Sequence, residues 1–255
     1  IVLFHQESLV KEKIIESYPK ACESGALHFH IQDYENYPGT GGAIMQGGSG
    51  EKAKHCFAYK YEQILILNGD MPLVRSQTLK KLCENPSQIV TSILHLDNPN
   101  GYGRVILEHN KVQKIIEQKD ATQEELAIKD VNAGVYKIQK SFLESSLPLL
   151  QNNNNQKEFY LTDVIFYAGQ NGVEIAAVQV EEQEFMGVNS KLQLSLAQEV
   201  ILKRLRDAAM EEGVIMHLPH TIYIESGVKF SGECIVEQGV QILGNCEIII
   251  SHQSP

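Results

Sequence analysis

Apolar residues follow two different rhythms along this chain, and the change falls near Gly213. Before it, short apolar runs alternate with stretches at helical spacing. Ile1–Phe4 reads as a strand, and residues 8–17 place Leu9, Val10, Ile14 and Ile15 at helical intervals before Pro19 ends the pattern. Leu27–Ile31 reads as a strand followed by a glycine-rich loop. Ile64-Leu65-Ile66-Leu67 is a run of the kind buried on both faces of a parallel sheet. Ser76–Cys83 reads as a helix capped by Ser76, and Ile89–Leu96 as another strand. Alternation of this kind predicts an α/β fold, a sheet flanked by helices.

Lys191–Glu212 reads as one long helix with Leu194, Ile201 and Leu205 on one side and Gly213 just past its end. The period then becomes six. Ile224, Phe230, Val236, Ile242 and Ile248 form one series, and Val228, Cys234, Val240 and Cys246 a second, with glycines at 227, 232, 239 and 244. A fixed apolar hexad predicts short strands winding into a β-helix whose coils bury one another. About four hexads are present, little more than one coil.

Composition narrows the functions. With 43% hydrophobic and 21% charged residues, the chain has the balance of a soluble globular protein, and its apolar runs are too short to span a bilayer. A net charge of −10 argues against sequence-independent nucleic-acid binding, which needs a basic face. It also means that anionic substrates would need a metal and backbone donors. The five cysteines, Cys22, Cys56, Cys83, Cys234 and Cys246, form no CxxC pair and suit reduced thiols in a cytoplasmic protein. The chain opens without methionine or a signal-peptide pattern, inside a strand, and so reads as part of a longer one.

Several motifs carry candidate chemistry. Asp70 closes the Ile64–Leu67 run within Asn68-Gly69-Asp70-Met71-Pro72-Leu73: it is either a turn residue or a carboxylate placed to hold magnesium against phosphates. Gly39-Thr40-Gly41-Gly42-Ala43 can cradle a base or phosphate at a helix start, or serve as an ordinary loop. Gly101-Tyr102-Gly103-Arg104 is a ligand loop or a hairpin entry. Glu117, after Ile115 and Ile116, can accept hydrogen bonds from sugar hydroxyls or sit at a solvated strand end. Asn132, in Val131-Asn132-Ala133-Gly134-Val135-Tyr136, offers an amide beside small residues. Asn189 precedes the long helix as a cap or as a second metal ligand. The tract Asn152–Asn155 reads as a surface loop with no assigned function. No nucleophile–base pattern stands out, so positioning and charge neutralisation are the expected chemistry, as in nucleotidyl transfer.

In order, the motifs GTGGA, LNGDMPL, NPNGYGRV, IIEQKDA, VNAGVY, EFYLTD and GVNSKLQL resemble those of the bifunctional bacterial N-acetylglucosamine-1-phosphate uridyltransferase/glucosamine-1-phosphate acetyltransferase family. The resemblance implies a Rossmann-like sugar nucleotidyltransferase domain over residues 1–190, a linker helix over 191–213, and the start of a left-handed hexapeptide β-helix over 214–255. It implies that Gln32, Gly39 and Thr40 contact the uracil, that Asn68 and Gly69 line the nucleotide, and that Asp70 and Asn189 hold Mg²⁺. Gly103, Glu117 and Asn132 would recognise the N-acetylglucosamine moiety. The implied reaction joins UTP and N-acetylglucosamine-1-phosphate into UDP-N-acetylglucosamine with release of pyrophosphate, for cell-envelope precursors. The family associates as a homotrimer and has no nucleic-acid or membrane partner. Two family features find no counterpart in this sequence: the glycine-rich triphosphate loop, expected ahead of Ile1, and the acetyltransferase residues, expected beyond Pro255. The chain alone is therefore expected to be impaired. The competing reading is a non-catalytic sugar-nucleotide-binding or assembly relative.

Overall fold

The computed structural model describes residues 1–45, 61–109 and 111–249, so Cys56 and the sequence after residue 249 lie outside the described residues. The chain divides into two compact units. One comprises Ile1–Asn68 and Arg75–Glu182, the other Gly69–Val74 and Gln183–Pro255.

The first unit is built on a mixed sheet. In chain order its elements are β1 (Val2–Leu3), α1 (Glu7–Ser17), α2 (Pro19–Glu23), β2 (His30–Ile31), α3 (Gly39–Met45), β3 (Gln63–Ile66), α4 (Ser76–Glu84) and β4 (Ile89–His95). Then follow β5 (Arg104–Glu108), β6 (Lys111–Ile116), α5 (Gln123–Leu126), β7 (Asp130–Gln139), α6 (Lys140–Ser146), α7 (Thr162–Gln170) and β8 (Ile175–Gln179). The ten-residue β7 is the spine. β4 runs antiparallel along one edge from Ile138 to Asp130, while the other edge is shared by β3, opposite Tyr136–Gln139, and β5, opposite Val131. β8 adds to β4 in parallel, and β6 closes the β5 side as a hairpin.

This corrects the reading of Ile64–Leu67. β3 pairs antiparallel with β7, its apolar residues Ile64, Leu65 and Ile66 are only half-buried, and Leu67 is exposed. A four-residue apolar run cannot distinguish parallel from antiparallel pairing, because the partner's direction is set by connections elsewhere. The parallel pairs in this unit are β4–β8 and the separate β1–β2.

The core gathers Ile89, Val105, Ile115, Tyr136 and Ile138 from the sheet with Leu143, Leu147, Leu161, Val164 and Ile165 from the helices and turns covering it. A buried lysine is built into this frame. Lys137 of β7 donates its ammonium to the carbonyls of Asn85 and Ser87, closing the carboxyl end of α4, where helix carbonyls lack partners. The cap predicted for α4 is corrected: Arg75 occupies the cap position and its side chain makes no capping hydrogen bond, and Ser76 is already helical.

The second unit carries α8 (Lys191–Glu211), β9 (Ile215–Met216), β10 (Tyr223–Ile224), β11 (Lys229–Ser231), β12 (Ile235–Val236), β13 (Gln241–Ile242) and β14 (Glu247–Ile249). β10 pairs with β13 and β11 with β14, both parallel and both offset by 18 residues, which is three hexads. The remaining pair, β9–β12, is offset by 20. Ile224, Cys234 and Val236 are buried together with Met216, Ile222 and Ala209, and Val228, Phe230 and Val240 pack against them. The hexad positions therefore face inward. At Gly227, φ is +97°, and a β-carbon would collide with the Asn245 side chain of the next coil.

The buried stripe of α8 differs from expectation. Ala197, Leu202, Arg206 and Ala209 are buried, whereas Leu194 and Ile201 are exposed. Arg206 explains part of the rotation, because its guanidinium donates to the Ile222 carbonyl (2.9 Å) and so belongs to the inner face.

Candidate functional site

Between Ile93↔Asn132 and Thr91↔Tyr136 the β4–β7 register slips, so β7 bulges at Ala133-Gly134-Val135. Ser92 fills the bulge: its hydroxyl donates to the Val135 carbonyl and accepts the Val135 N–H, both at 3.0 Å. Gly134 takes φ +80°, and the Asn68 amide lies against it, 2.8 Å from where a β-carbon would sit. The bulge falls between the stretches of β7 edge that β5 and β3 cover. It opens the sheet beside Asn68 and Asn132.

Three residues that the sequence picks for sugar recognition meet at this opening. The Asn132 backbone N–H donates to the Gly103 carbonyl (2.9 Å). A β-carbon on Gly103 would lie 3.3 Å from Ile115 Cγ2 and from the Ile116 carbonyl, and 3.5 Å from Glu117 Oε2, so the glycine turn packs on the end of β6 with the carboxylate beside it. The turn itself is held where Gln118 Oε1 accepts the Gly101 N–H (2.5 Å), with Arg104 buried beneath it and bonded to the carbonyls of Tyr102 and Leu126.

Two further residues complete the group. Asn132 Nδ2 donates to Tyr136 Oη (2.6 Å), while Asn132 Oδ1 accepts the Gly134 N–H (3.0 Å). Thr162 Oγ1, at the start of α7, donates to Glu117 Oε1 (3.1 Å). Burial raises the Glu117 pKa, the Thr162 bond works against that, and the charges of Asp120 and Glu158 raise it further. Asp163 is pushed up to about 6 by burial and by the charges of Glu117 and Asp120. Burial likewise drives the Tyr136 phenol well above its ordinary value, so it stays a neutral donor and acceptor.

The glycine turn at 39–42 has a different emphasis from the one its sequence suggests. The Gly41 N–H donates to the Phe159 carbonyl (2.8 Å), and Thr40 Oγ1 accepts the Leu161 N–H (3.3 Å). A β-carbon on Gly39 or Gly41 would lie 2.7 or 2.8 Å from that same carbonyl. Close packing on the Glu158–Leu161 segment thus accounts for the glycines and uses part of the first turn's donors. Gln32 braces the loop, its Nε2 donating to the carbonyls of Tyr37 (2.8 Å) and Gly39 (3.0 Å).

In the second unit, Asp70 and Asn189 stand side by side, Asn189 Nδ2 lying 3.3 Å from Asp70 Oδ2. The Val188 N–H donates to the Asp70 carbonyl (2.8 Å), which locks the two strands of chain together. Asn189 is not the helix cap: Ser190 is, its Oγ accepting the Gln193 N–H (3.1 Å), while Gln193 Oε1 accepts the Asn189 N–H (2.8 Å). The Asn189 side chain is thereby released toward Asp70. Gly187 keeps the space open, since a β-carbon there would be 3.2 Å from Asp70 Oδ2 and 3.4 Å from Asn189 Nδ2. The amide presents its nitrogen to the carboxylate here, and with the amide turned to present Oδ1 one carboxylate and one amide oxygen suit Mg²⁺, which keeps several waters and shares its remaining positions with substrate phosphates. Among the described residues there is no group of three or more His, Cys, Asp or Glu able to hold a metal, and His28 and His30, at HxH spacing, belong to none.

No family model matches the chain. The bifunctional protein GlmU of Helicobacter hepaticus is 67% identical over 249 residues, covering 97% of this chain and 55% of that protein. GlmU of Aliarcobacter butzleri is 46% identical over 252 residues, 99% of this chain and 54% of that one. The chain is a homologue of the GlmU proteins.

It spans about half the length of the curated GlmU relatives it matches. The solved structure of a nucleoside-diphosphate-sugar pyrophosphorylase from Vibrio cholerae aligns with a TM-score of 0.51 at 14% identity, over 76% of this chain and 77% of that one. That likeness shows a shared Rossmann-like α/β fold. No helix among the described residues is long and apolar enough to cross a membrane. Against the GlmU motifs, Thr162, Tyr136 and Ser92 are what sequence reasoning missed. Thr162 lay inside the quoted EFYLTD motif, but its partner Glu117 stands 45 residues away, and no local spacing links them.

Proposed function

We propose that the gene product is a sugar-1-phosphate nucleotidyltransferase that makes UDP-N-acetylglucosamine and pyrophosphate from UTP and N-acetylglucosamine-1-phosphate. The observation that carries this reading is the meeting of Gly103, Glu117 and Asn132 at the β7 bulge, in a chain 67% identical to a GlmU protein. A carboxylate accepting hydroxyl donors and an amide beside small residues are what a sugar ring requires.

Glu117, oriented by Thr162, accepts from sugar hydroxyls through Oε2. Asn132 orients the same moiety, and Gly103 admits it close to the backbone. Gln32, Gly39 and Thr40 face the uracil, with Asn68 and Gly69 along the nucleotide. Asp70 and Asn189 are the residues that would hold Mg²⁺. When bound, that ion would neutralise the phosphate charge that develops during transfer, which a chain of net charge −10 cannot do unaided. Residues 1–190 form the nucleotidyltransferase part in this reading. Residues 191–213 are the linking helix, and the inward-facing hexads after it begin a left-handed β-helix through which the complete protein forms cytoplasmic homotrimers.

The test is magnesium-dependent pyrophosphate release by the complete gene product from UTP and N-acetylglucosamine-1-phosphate, alongside calorimetric binding of UDP-N-acetylglucosamine. Turnover that falls by about a hundredfold or more in Asp70→Ala supports the assignment. Binding without turnover would make the protein a sugar-nucleotide-binding relative, and absence of both would overturn the reading.

A further inference from the structure

The tract Asn152–Asn155 is the one prominent sequence feature that the proposed reaction leaves unused. It is not a loose loop. Asn154 folds it locally, its Nδ2 donating to the Glu158 carbonyl (2.6 Å) while its Oδ1 accepts the N–H groups of Gln156 (3.2 Å) and Glu158 (3.1 Å). The Asn155 N–H donates to Asp120 Oδ1 (3.0 Å), and Asn155 Nδ2 donates to the Lys119 carbonyl (2.7 Å). Tyr160 Oη donates to Asp120 Oδ2 (3.0 Å) and accepts from Gln156 Nε2 (3.0 Å), while Lys119 Nζ donates to Gln156 Oε1 (2.6 Å).

The Lys119–Asp120 turn therefore grips both ends of the Asn155–Tyr160 segment. The same turn is closed onto Glu117, whose carbonyl accepts the Asp120 N–H (2.9 Å). Two residues past Tyr160, Thr162 reaches back to the Glu117 carboxylate. The result is a closed circuit running Glu117, Asp120, Tyr160, Thr162 and back to Glu117, which fixes that carboxylate from its backbone and its side chain at once. An aspartate in this circuit is electrostatically costly, because its charge opposes those of Glu117 and Asp163. What it supplies in return is two acceptor oxygens for two donors on one segment.

We propose that Asp120 is a positioning residue for sugar recognition, holding Glu117 and Thr162 in register through Tyr160 and the asparagine tract. The proposal rests on the reading of the Gly103–Glu117–Asn132 site as a sugar site. Asp120 touches no sugar atom. It removes the rotational freedom that Glu117 would otherwise lose on binding.

The test is calorimetric titration of UDP-N-acetylglucosamine and of UDP into the wild type, Asp120→Ala, Asp120→Asn and Tyr160→Phe. Asp120→Ala weakens UDP-N-acetylglucosamine by about tenfold and Tyr160→Phe by about threefold, while UDP changes by less than about twofold in either. Asp120→Asn recovers most of the loss, since its Oδ1 still accepts the Asn155 N–H and its Nδ2 can donate to Tyr160 Oη. A general loss of structure would move both ligands together, and equal weakening of the two overturns the proposal. Unchanged sugar-nucleotide affinity in Asp120→Ala, or in Tyr160→Phe should the alanine variant not fold, overturns it as well. A wild type that binds UDP-N-acetylglucosamine no better than UDP fails the sugar reading itself, and this proposal falls with it.

Discussion

The hydroxyl of Thr162 donates to Glu117 Oε1 across 3.1 Å, joining the first turn of α7 to the end of β6. Thr162 is buried, and this bond opposes the burial that raises the Glu117 pKa. Thr162→Val keeps the shape of the residue and removes the donor. The carboxylate then loses its charge more readily and its fixed orientation with it. Hydrogen bonds to charged groups are worth about 1.5–3 kcal/mol, so affinity for UDP-N-acetylglucosamine should fall by about tenfold or more, with Thr162→Ser close to wild type. Calorimetry on the two variants checks this, and equal affinity in both would remove the role given to the hydroxyl.

Asp163 makes stability depend on pH in a direction opposite to that of a salt-bridged acid. Its pKa rises from 3.8 to about 6 through burial and the charges of Glu117 and Asp120. Between those values the folded protein binds a proton that the unfolded chain does not, so this contribution grows as pH falls through about 6 and is lost as pH rises through it. Asp163→Asn removes the charge and should raise stability at about pH 7.5 by about 1 kcal/mol, discounted for the partial solvation of the carboxylate. That corresponds to a gain of about 2–4 °C in melting temperature, largely absent at about pH 4. Thermal scans across that range decide the sign.

Hexad residues and their outward neighbours should divide sharply by direction. Ile224 is buried against Met216 and Val236, whereas Ile249 is exposed. Ile224→Ala should cost about 2–4 kcal/mol in the stability of the second unit. Ile249→Ala should change it by less than about 0.5 kcal/mol. Chemical denaturation followed by a probe on that unit separates the two, and equal costs would contradict the inward register.

What was legible in the sequence was periodic or contiguous. The six-residue period states which side chains point inward, and Ile224, Cys234 and Val236 are buried together. The seven motifs point to the GlmU proteins because each is a continuous string. The errors arose where another part of the chain decides the outcome. The direction of β3 depends on β7, which lies some 70 residues further on. The inner face of α8 turns on Arg206, an arginine that counts as polar in any pattern yet is buried by its bond to Ile222. Asn189 reads as a cap because caps are polar residues before helices, and the neighbouring Ser190 fills that role. The roles of Thr162, Tyr160 and Asp120 are long-range hydrogen bonds, which leave no local spacing to read.

Gly187 offers the most direct probe of the Asp70–Asn189 pair. The glycine is not in the left-handed region, so alanine costs little in backbone terms, but its methyl would press to 3.2 Å from Asp70 Oδ2 and 3.4 Å from Asn189 Nδ2. A hydrated divalent cation bound by this pair takes Asp70 Oδ2 and, with the amide turned over, Asn189 Oδ1, in the space that the methyl would narrow. Asp70 is also tied at its backbone by the Val188 N–H (2.8 Å), so the carboxylate can yield only by rotating its side chain away from Asn189. Gly187→Ala should therefore weaken Mn²⁺, used as a paramagnetic substitute for Mg²⁺, by about fivefold to twentyfold, and Asn189→Ala by a similar factor. The uracil and sugar contacts assigned above involve neither residue, so UDP affinity measured without metal should stay unchanged. Electron paramagnetic resonance titration of free Mn²⁺ in the presence of each variant provides the readout independently of turnover. Wild-type affinity in both variants would show that the pair is a structural clamp and that the cation is held elsewhere.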